Sequence, residues 1–119
     1  LINSKKYLFG KQVRLLNRHD YSRVFNAAKR LTSPYITLLY RQNDLGHPRV
    51  GLVIAKKSLA KAIQRNTFKR ITRDSFRRHQ HDLPNIDIVI LSKKGLKVFE
   101  REALADQLDK LWLKLGKST

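Results

Sequence analysis

RVGLVIAKKSLAKAIQRNTFKRITRDSFRRHQHDLPNIDIVIL, residues 49–91, decides the fold. Its two ends, VGLVIA and IDIVIL, are short apolar blocks with the length and composition of strands covered on both faces. The stretch between them, from about Leu59 to His81, predicts a helix that Asp82-Leu83-Pro84-Asn85 then breaks. At about 100° per residue, Lys61, Arg65, Lys69, Arg73 and Arg77 follow one another at i, i+4 steps, with Asn66 and Arg70 beside the row. Ile63, Thr67, Phe68 and Ile71 lie on the opposite arc, which is predicted to pack on the sheet. Phe76 falls among the basic residues under ideal geometry. A bend, packing round the helix edge, or stacking on a base would each accommodate it.

Outward from this core, Asn17 can cap a helix over 18–29, with Asp20 three positions on in a capping-box-like arrangement. Tyr21, Val24, Phe25 and Ala28 are spaced to share one face of that helix. Pro34 opens an extended run, YITLLYR, and the turn-forming LGHP at 45–48 leads back to the quoted stretch. After the turn SKKG, a helix over about 98–115 carries an apolar stripe of Leu104, Leu108, Leu111, Trp112 and Leu115. The order helix, strand, strand, helix, strand, helix suggests an α+β fold, a small mixed central sheet with flanking helices. Length fits one domain, 1–119, with a basic N-terminal arm over 1–16 expected to be weakly ordered by itself.

The charge narrows the function. The chain has 26 Lys and Arg against 9 Asp and Glu, a formal +17. Residues 1–78 hold only Asp20, Asp44 and Asp74 as acids, and the basic row lacks i, i+4 acidic partners. Self-repulsion of this size calls for a polyanion. Nucleic acid is the first reading and an anionic membrane surface the second, although no apolar run reaches the ~20 residues of a span. Rungs four residues apart rise about 6 Å, comparable to the spacing of phosphates along a strand. Arg forks can grip phosphate oxygens bidentately, and Asn66 supplies both a donor and an acceptor. The bland alternative is a solvated face. Without Cys there is neither disulfide nor thiol chemistry, and a cytoplasmic location fits. LINSKKYLFGKQVR does not read as a secretory signal.

RVGLVIAKK, followed by RNTFKRITRDSF, resembles the signature of the bacterial ribonuclease P protein subunit. Lys56, Lys57, Arg65, Asn66, Lys69, Arg70, Arg73 and Phe76 match that pattern. Thr67 departs from it, standing where the family commonly has the second Arg of Arg-Asn-Arg. DYSRVF at 20–25 and IVILSKKG are similar too, so the resemblance spans about residues 14–112. It implies an α/β sandwich with a left-handed βαβ crossover, against the usual right-handed rule. It also implies an accessory protein that helps remove the 5′ leader of precursor tRNA. The chemistry would then lie in a partner RNA, with Mg²⁺ held by that RNA and the substrate. By the same resemblance, Lys56, Lys57, Arg65, Asn66, Lys69, Arg70 and Arg73 are expected to contact the RNA subunit, and Lys61 and Arg77 join them from the i, i+4 row of the helix. Tyr21, Phe25, Lys93 and Lys94 are expected to border a cleft for the precursor tRNA 5′ leader, where aromatic stacking tolerates any sequence. Core packing is the alternative for Tyr21 and Phe25, and a solvated turn for Lys93 and Lys94.

No catalytic or metal site is expected in the protein itself. His79, His81 and Asp82 are loosely spaced at a helix end, where solvated histidines are expected. No Ser-His-Asp pattern or Gly-rich phosphate loop occurs. No membrane partner or obligate protein partner is expected. A structural, ribosomal-type RNA-binding protein and a basic-helix DNA-binding protein are the competing classes. The long helix covered between two strands argues against the latter.

Overall fold

The computed structural model describes residues 9–117. Its elements run α1 (Arg18–Asn26), β1 (Lys29–Thr32), β2 (Ile36–Gln42), β3 (Arg49–Val53), α2 (Ala62–His79), β4 (Ile86–Ser92) and α3 (Arg101–Lys117). The strands form one mixed sheet in the order β1-β2-β4-β3. β4 is central, antiparallel to β2 and parallel to β3. A parallel pair cannot be joined by a hairpin, so the chain crosses over through α2 between β3 and β4. The α+β architecture expected from the sequence is therefore present.

The sheet has a helix layer on each face. Ile36, Leu38, Val50, Ile86, Ile88 and Ile90 bury against α2 and α3, where Phe68, Phe76, Leu104, Leu108, Leu111, Trp112 and Leu115 meet them. The opposite face is covered only in part. There Val24 of α1 packs with Leu15 and Val89, flanked by Tyr21, Ala28, Leu39 and Leu91. Alternate residues of β4 serve the two faces, which is why the strand reads as an unbroken apolar run.

The chain departs from its sequence reading at three places. α1 ends at Asn26 rather than at 29, because Lys29–Thr32 leaves it to form β1. That strand pairs with β2 from Lys29↔Tyr40 to Thr32↔Thr37, around a Ser33–Ile36 turn closed at both ends by backbone bonds. The second departure is the buried face of α2. It consists of Phe68, Thr72, Ser75 and Phe76, whereas Ile63 is 73% exposed. Phe68, Ser75 and Phe76 lie within about 60° of Thr72 on a helix, so an unbent helix buries all four. Phe76 packs edge-to-face on Phe9 and Trp112, with ring centroids 6.0 Å away in each case, and is not available to a base. Third, α3 starts at Arg101 and not at 98, leaving Val98 exposed ahead of it. Within the N-terminal arm, Val13 and Leu15 are buried and the Leu15 amide donates to the Val50 carbonyl. Residues 1–8 of that arm lie outside the described residues.

Candidate nucleic-acid interface

α1 is held over the sheet by an ion-pair network. The Asn17 side chain accepts from the Asp20 amide at 2.9 Å, the cap expected from the sequence, and the Asp20 carboxylate accepts from the Leu16 amide. Asp20 also faces Arg49 at 3.6 Å. Arg49 in turn grips the buried Asp87 with two bonds, 2.8 and 2.7 Å, and Asn43 donates a third at 2.9 Å. Burial pushes the Asp87 carboxyl up, but the bonds from Arg49 and Asn43 outweigh it and hold its pKa below the ordinary value. The same bond to Asp87 raises the pKa of Arg49. This pairing fixes the start of α1 above the first residues of β3 and β4.

Tyr21 then lies directly on β3. A Cβ placed on Gly51 would stand 2.6 Å from its ring and hydroxyl, so the glycine leaves the space the ring occupies. Phe25, one turn on, is 47% exposed and is not part of the core. Val53 and Leu91 continue this partly open surface along β3 and β4. Tyr21, Phe25 and the bare sheet therefore form an aromatic and apolar shelf.

Lysines gather at the end of the sheet where β3 and β4 finish. Ser58 Oγ donates to the Lys93 carbonyl, and Lys97 Nζ donates to the Lys57 carbonyl. The two bonds tie the loop of Lys56 and Lys57 to the turn of Lys93 and Lys94. Gly95 closes that turn at φ +86°, a conformation glycine adopts without penalty. Four lysines assigned separately from the sequence thus share one patch, which Lys97 extends.

The basic residues of α2 divide into two kinds. Lys61, Asn66, Arg70 and Arg73 are exposed and Lys69 is half-exposed. Arg65 instead turns back on the chain, one terminal nitrogen donating to the carbonyls of Leu59 and Ala60 at 2.8 and 2.7 Å. Its first task is to close the entry to α2. At the other end, Arg77 and Arg78 both reach Asp74, at 2.6 and 3.3 Å. The bond from Arg77 is the main reason the Asp74 pKa is lowered. The row is therefore not devoid of acidic partners, and its outward charge is concentrated on Lys61, Lys69, Arg70 and Arg73. Thr67 donates its hydroxyl to the Ile63 carbonyl, a bond internal to the helix.

Lys69 and Arg73 meet the aromatic shelf around the β3 edge. A recess of about 170 Å³ there is lined by Phe9, Arg14, Tyr21, Gly51, Lys69 and Arg73 among others. Arg14 stacks its guanidinium on the Phe9 ring at 5.6 Å. Phe9 and Arg14 were not singled out from the sequence. No helical or strand period marks them, and the signal available was their mixture of aromatic and basic residues in an arm rich in both. His79 donates from Nδ1 to the Ser75 carbonyl and faces Asp109 at 3.6 Å, within the α2–α3 contact. Among the described residues, no three His, Asp or Glu side chains converge as metal donors would. Nor is any helix among them long and apolar enough to cross a membrane.

The sequence and the fold are both similar to those of known proteins. The family model described as Ribonuclease P matches residues 9–116. A ribonuclease P protein component of Yersinia pestis is 48% identical over 107 residues, covering 90% of each chain. One of Aliivibrio salmonicida is 47% identical over 111 residues, covering 93% of this chain and 95% of its own. Among solved structures, the ribonuclease P protein of Thermotoga maritima superposes with a TM-score of 0.74 at 31% identity, covering 85% of this chain and 96% of its own. The Staphylococcus aureus protein shares the fold, with a TM-score of 0.78 at 24% identity and coverages of 88% and 95%.

Proposed function

This chain belongs to the ribonuclease P protein family, and from that membership we propose that it binds the RNA subunit of a bacterial ribonuclease P and the 5′ leader of precursor tRNA. The observation that carries the proposal is the meeting of two unlike surfaces at the β3 edge. One is the cationic face of α2, whose Lys69, Arg70 and Arg73 make no ion pair among the described residues. Such charges suit a folded RNA, whose phosphates they neutralise with release of counterions. The other is the shelf of Tyr21 and Phe25 with the lysine patch at its end. It suits a single strand, held by stacking and by phosphate contacts and indifferent to sequence.

Cleavage itself is assigned to the RNA. The buried carboxylate of Asp87 is engaged by Arg49 and Asn43, and Asp20 by Arg49 and its own helix cap. With these carboxylates engaged in the fold, the proposal places Mg²⁺ with the RNA and substrate phosphates. The protein's contribution is binding and orientation. The test is cleavage of a precursor tRNA by a bacterial ribonuclease P RNA at low Mg²⁺, with and without this protein. Cleavage that requires both supports the proposal. Tight RNA binding without activation favours a structural RNA-binding protein, and cleavage by the protein alone overturns the assignment of chemistry to the RNA.

A further inference from the structure

On a helix, neighbouring residues point about 100° apart, so Arg23 and Phe25 leave α1 on opposite flanks of the buried Val24. Phe25 and Tyr21 face the shelf toward β3. Arg23 faces the other way, into a groove between α1 and the β1–β2 hairpin. Arg23, Ala27, Lys29, Tyr40, Arg41 and Asp44 line it, and its volume is about 480 Å³. That lies within the ~300–1,000 Å³ of small-ligand sites.

The groove is cationic and built. Arg41 is fixed by a bond from Nη1 to the Arg23 carbonyl at 3.0 Å, which also answers the negative end of the α1 dipole. Lys29 opposes Tyr40 across the hairpin and, among the described residues, has neither an ion pair nor a side-chain hydrogen bond. Arg23 lends its charge to Asp87 without reaching it as an ion pair. Three cations thus face one exposed carboxylate, Asp44, beside the half-buried ring of Tyr40.

We propose that this groove, formed by Arg23, Lys29 and Arg41, is a second nucleotide-binding site, taking a phosphodiester of the upstream part of the same single-stranded leader. The proposal rests on the leader crossing the Tyr21–Phe25 shelf. β1 lies three strand spacings from β3, roughly 14 Å, a distance that a few nucleotides of extended single strand cover. Phe25 is in the last turn of α1, the helix ends at Asn26, and Ala27 already lines the groove. The path from the shelf to the groove therefore runs around the end of α1 and needs only a few further nucleotides.

The experiment compares precursor tRNAs with leaders of graded length, binding to holoenzyme made with wild-type protein or with the Arg23→Gln/Lys29→Gln variant. Arg41 is retained because its bond to α1 is structural. Wild-type affinity should rise as the leader lengthens past the shelf. The double variant should lose about 5- to 10-fold on long leaders and nothing on short ones, at unchanged thermal midpoint. Equal losses at every length, or none at any length, overturn the groove as a leader site; the former assigns it to the RNA subunit. If wild-type holoenzyme gains nothing from any leader, the shelf itself is refuted along with the groove.

Discussion

Gly51→Ala should weaken leader binding while leaving the protein folded and bound to its RNA subunit. Gly51 is not in the left-handed region, so alanine meets no backbone penalty there, and the whole effect arises from space. The new methyl group would stand 2.6 Å from three atoms of Tyr21, where ordinary contacts are about 3.5–4.0 Å. The ring must withdraw by roughly 1 Å or swing off β3. Because Tyr21 is half-exposed, it can do so, and the stability cost should sit near the low end of the ~1–3 kcal/mol of an overpacked core. The displaced ring loses its place in the shelf. Stacking is worth ~1–3 kcal/mol per base, or roughly 5- to 150-fold in affinity. The assay is equilibrium binding to holoenzyme of precursor tRNA against the same tRNA without a leader, for wild type, Gly51→Ala, Tyr21→Ala and the double variant. The single variants should narrow the preference for the precursor to a similar extent, and the double variant should lose little more than either. An unchanged preference in Gly51→Ala, or fully additive losses in the double variant, would refute the placement of Tyr21 as a leader contact.

Asp87→Asn should destabilise the fold at neutral pH by about 3–5 kcal/mol, since Arg49 is left half-buried without its main partner. Because the folded-state pKa of Asp87 is depressed, its contribution is present above the unfolded value of about 3.8 and is lost as pH falls through the folded value. Thermal midpoints measured down the acid limb should fall for wild type and flatten for the variant. Arg70→Ala should lower the slope of log affinity against log salt for the RNA subunit by about 0.7–0.9 per lost phosphate contact. Arg65→Ala should also lower the thermal midpoint, by losing charged bonds to two carbonyls worth about 1.5–3 kcal/mol each. Ser75→Ala removes the acceptor of the buried Trp112 Nε1–H, a 2.8 Å bond, and should cost about 1–3 kcal/mol in denaturant titration without changing RNA affinity.

Where hydropathy and period carried the information, the fold was legible. β3, β4, the apolar stripe of α3 and the Asn17 cap all lie where their residues put them. The misplaced face of α2 shows the limit. Thr72 and Ser75 are polar by composition yet buried, because Thr72 bonds the Phe68 carbonyl and Ser75 accepts from Trp112. Thr72 uses the i−4 carbonyl that any helix offers a threonine, but the Trp112 partner of Ser75 does not follow from spacing along α2. Excluding the two residues shifts the apparent apolar arc toward Ile63, which the structure exposes. β1 escaped for the opposite reason: Lys-Arg-Leu-Thr has no apolar alternation, and its order comes from pairing with β2 and the packing of Leu31 on the core. The sequence names the basic residues proposed for the interface, but not which of them the fold itself engages.

That division bears on the charge. Asp20, Asp74 and Asp87 are each held by arginines of the same fold, and these bonds anchor α1, close the end of α2 and lock β3 to β4. Few acids therefore remain on the side of the molecule that carries Lys56, Lys69, Arg70, Arg73 and Lys93. The repulsion among these groups is a cost of the free protein which a bound polyanion removes. Binding energy and folding energy are then linked: whatever neutralises this face should raise the thermal stability of the whole domain. Arg49, Arg65 and Arg77 are engaged by the fold whereas the proposed contacts Arg70 and Arg73 are not, so mutation can separate the two roles. That separation lets Arg65 and Arg70, five positions apart on one helix, answer different questions.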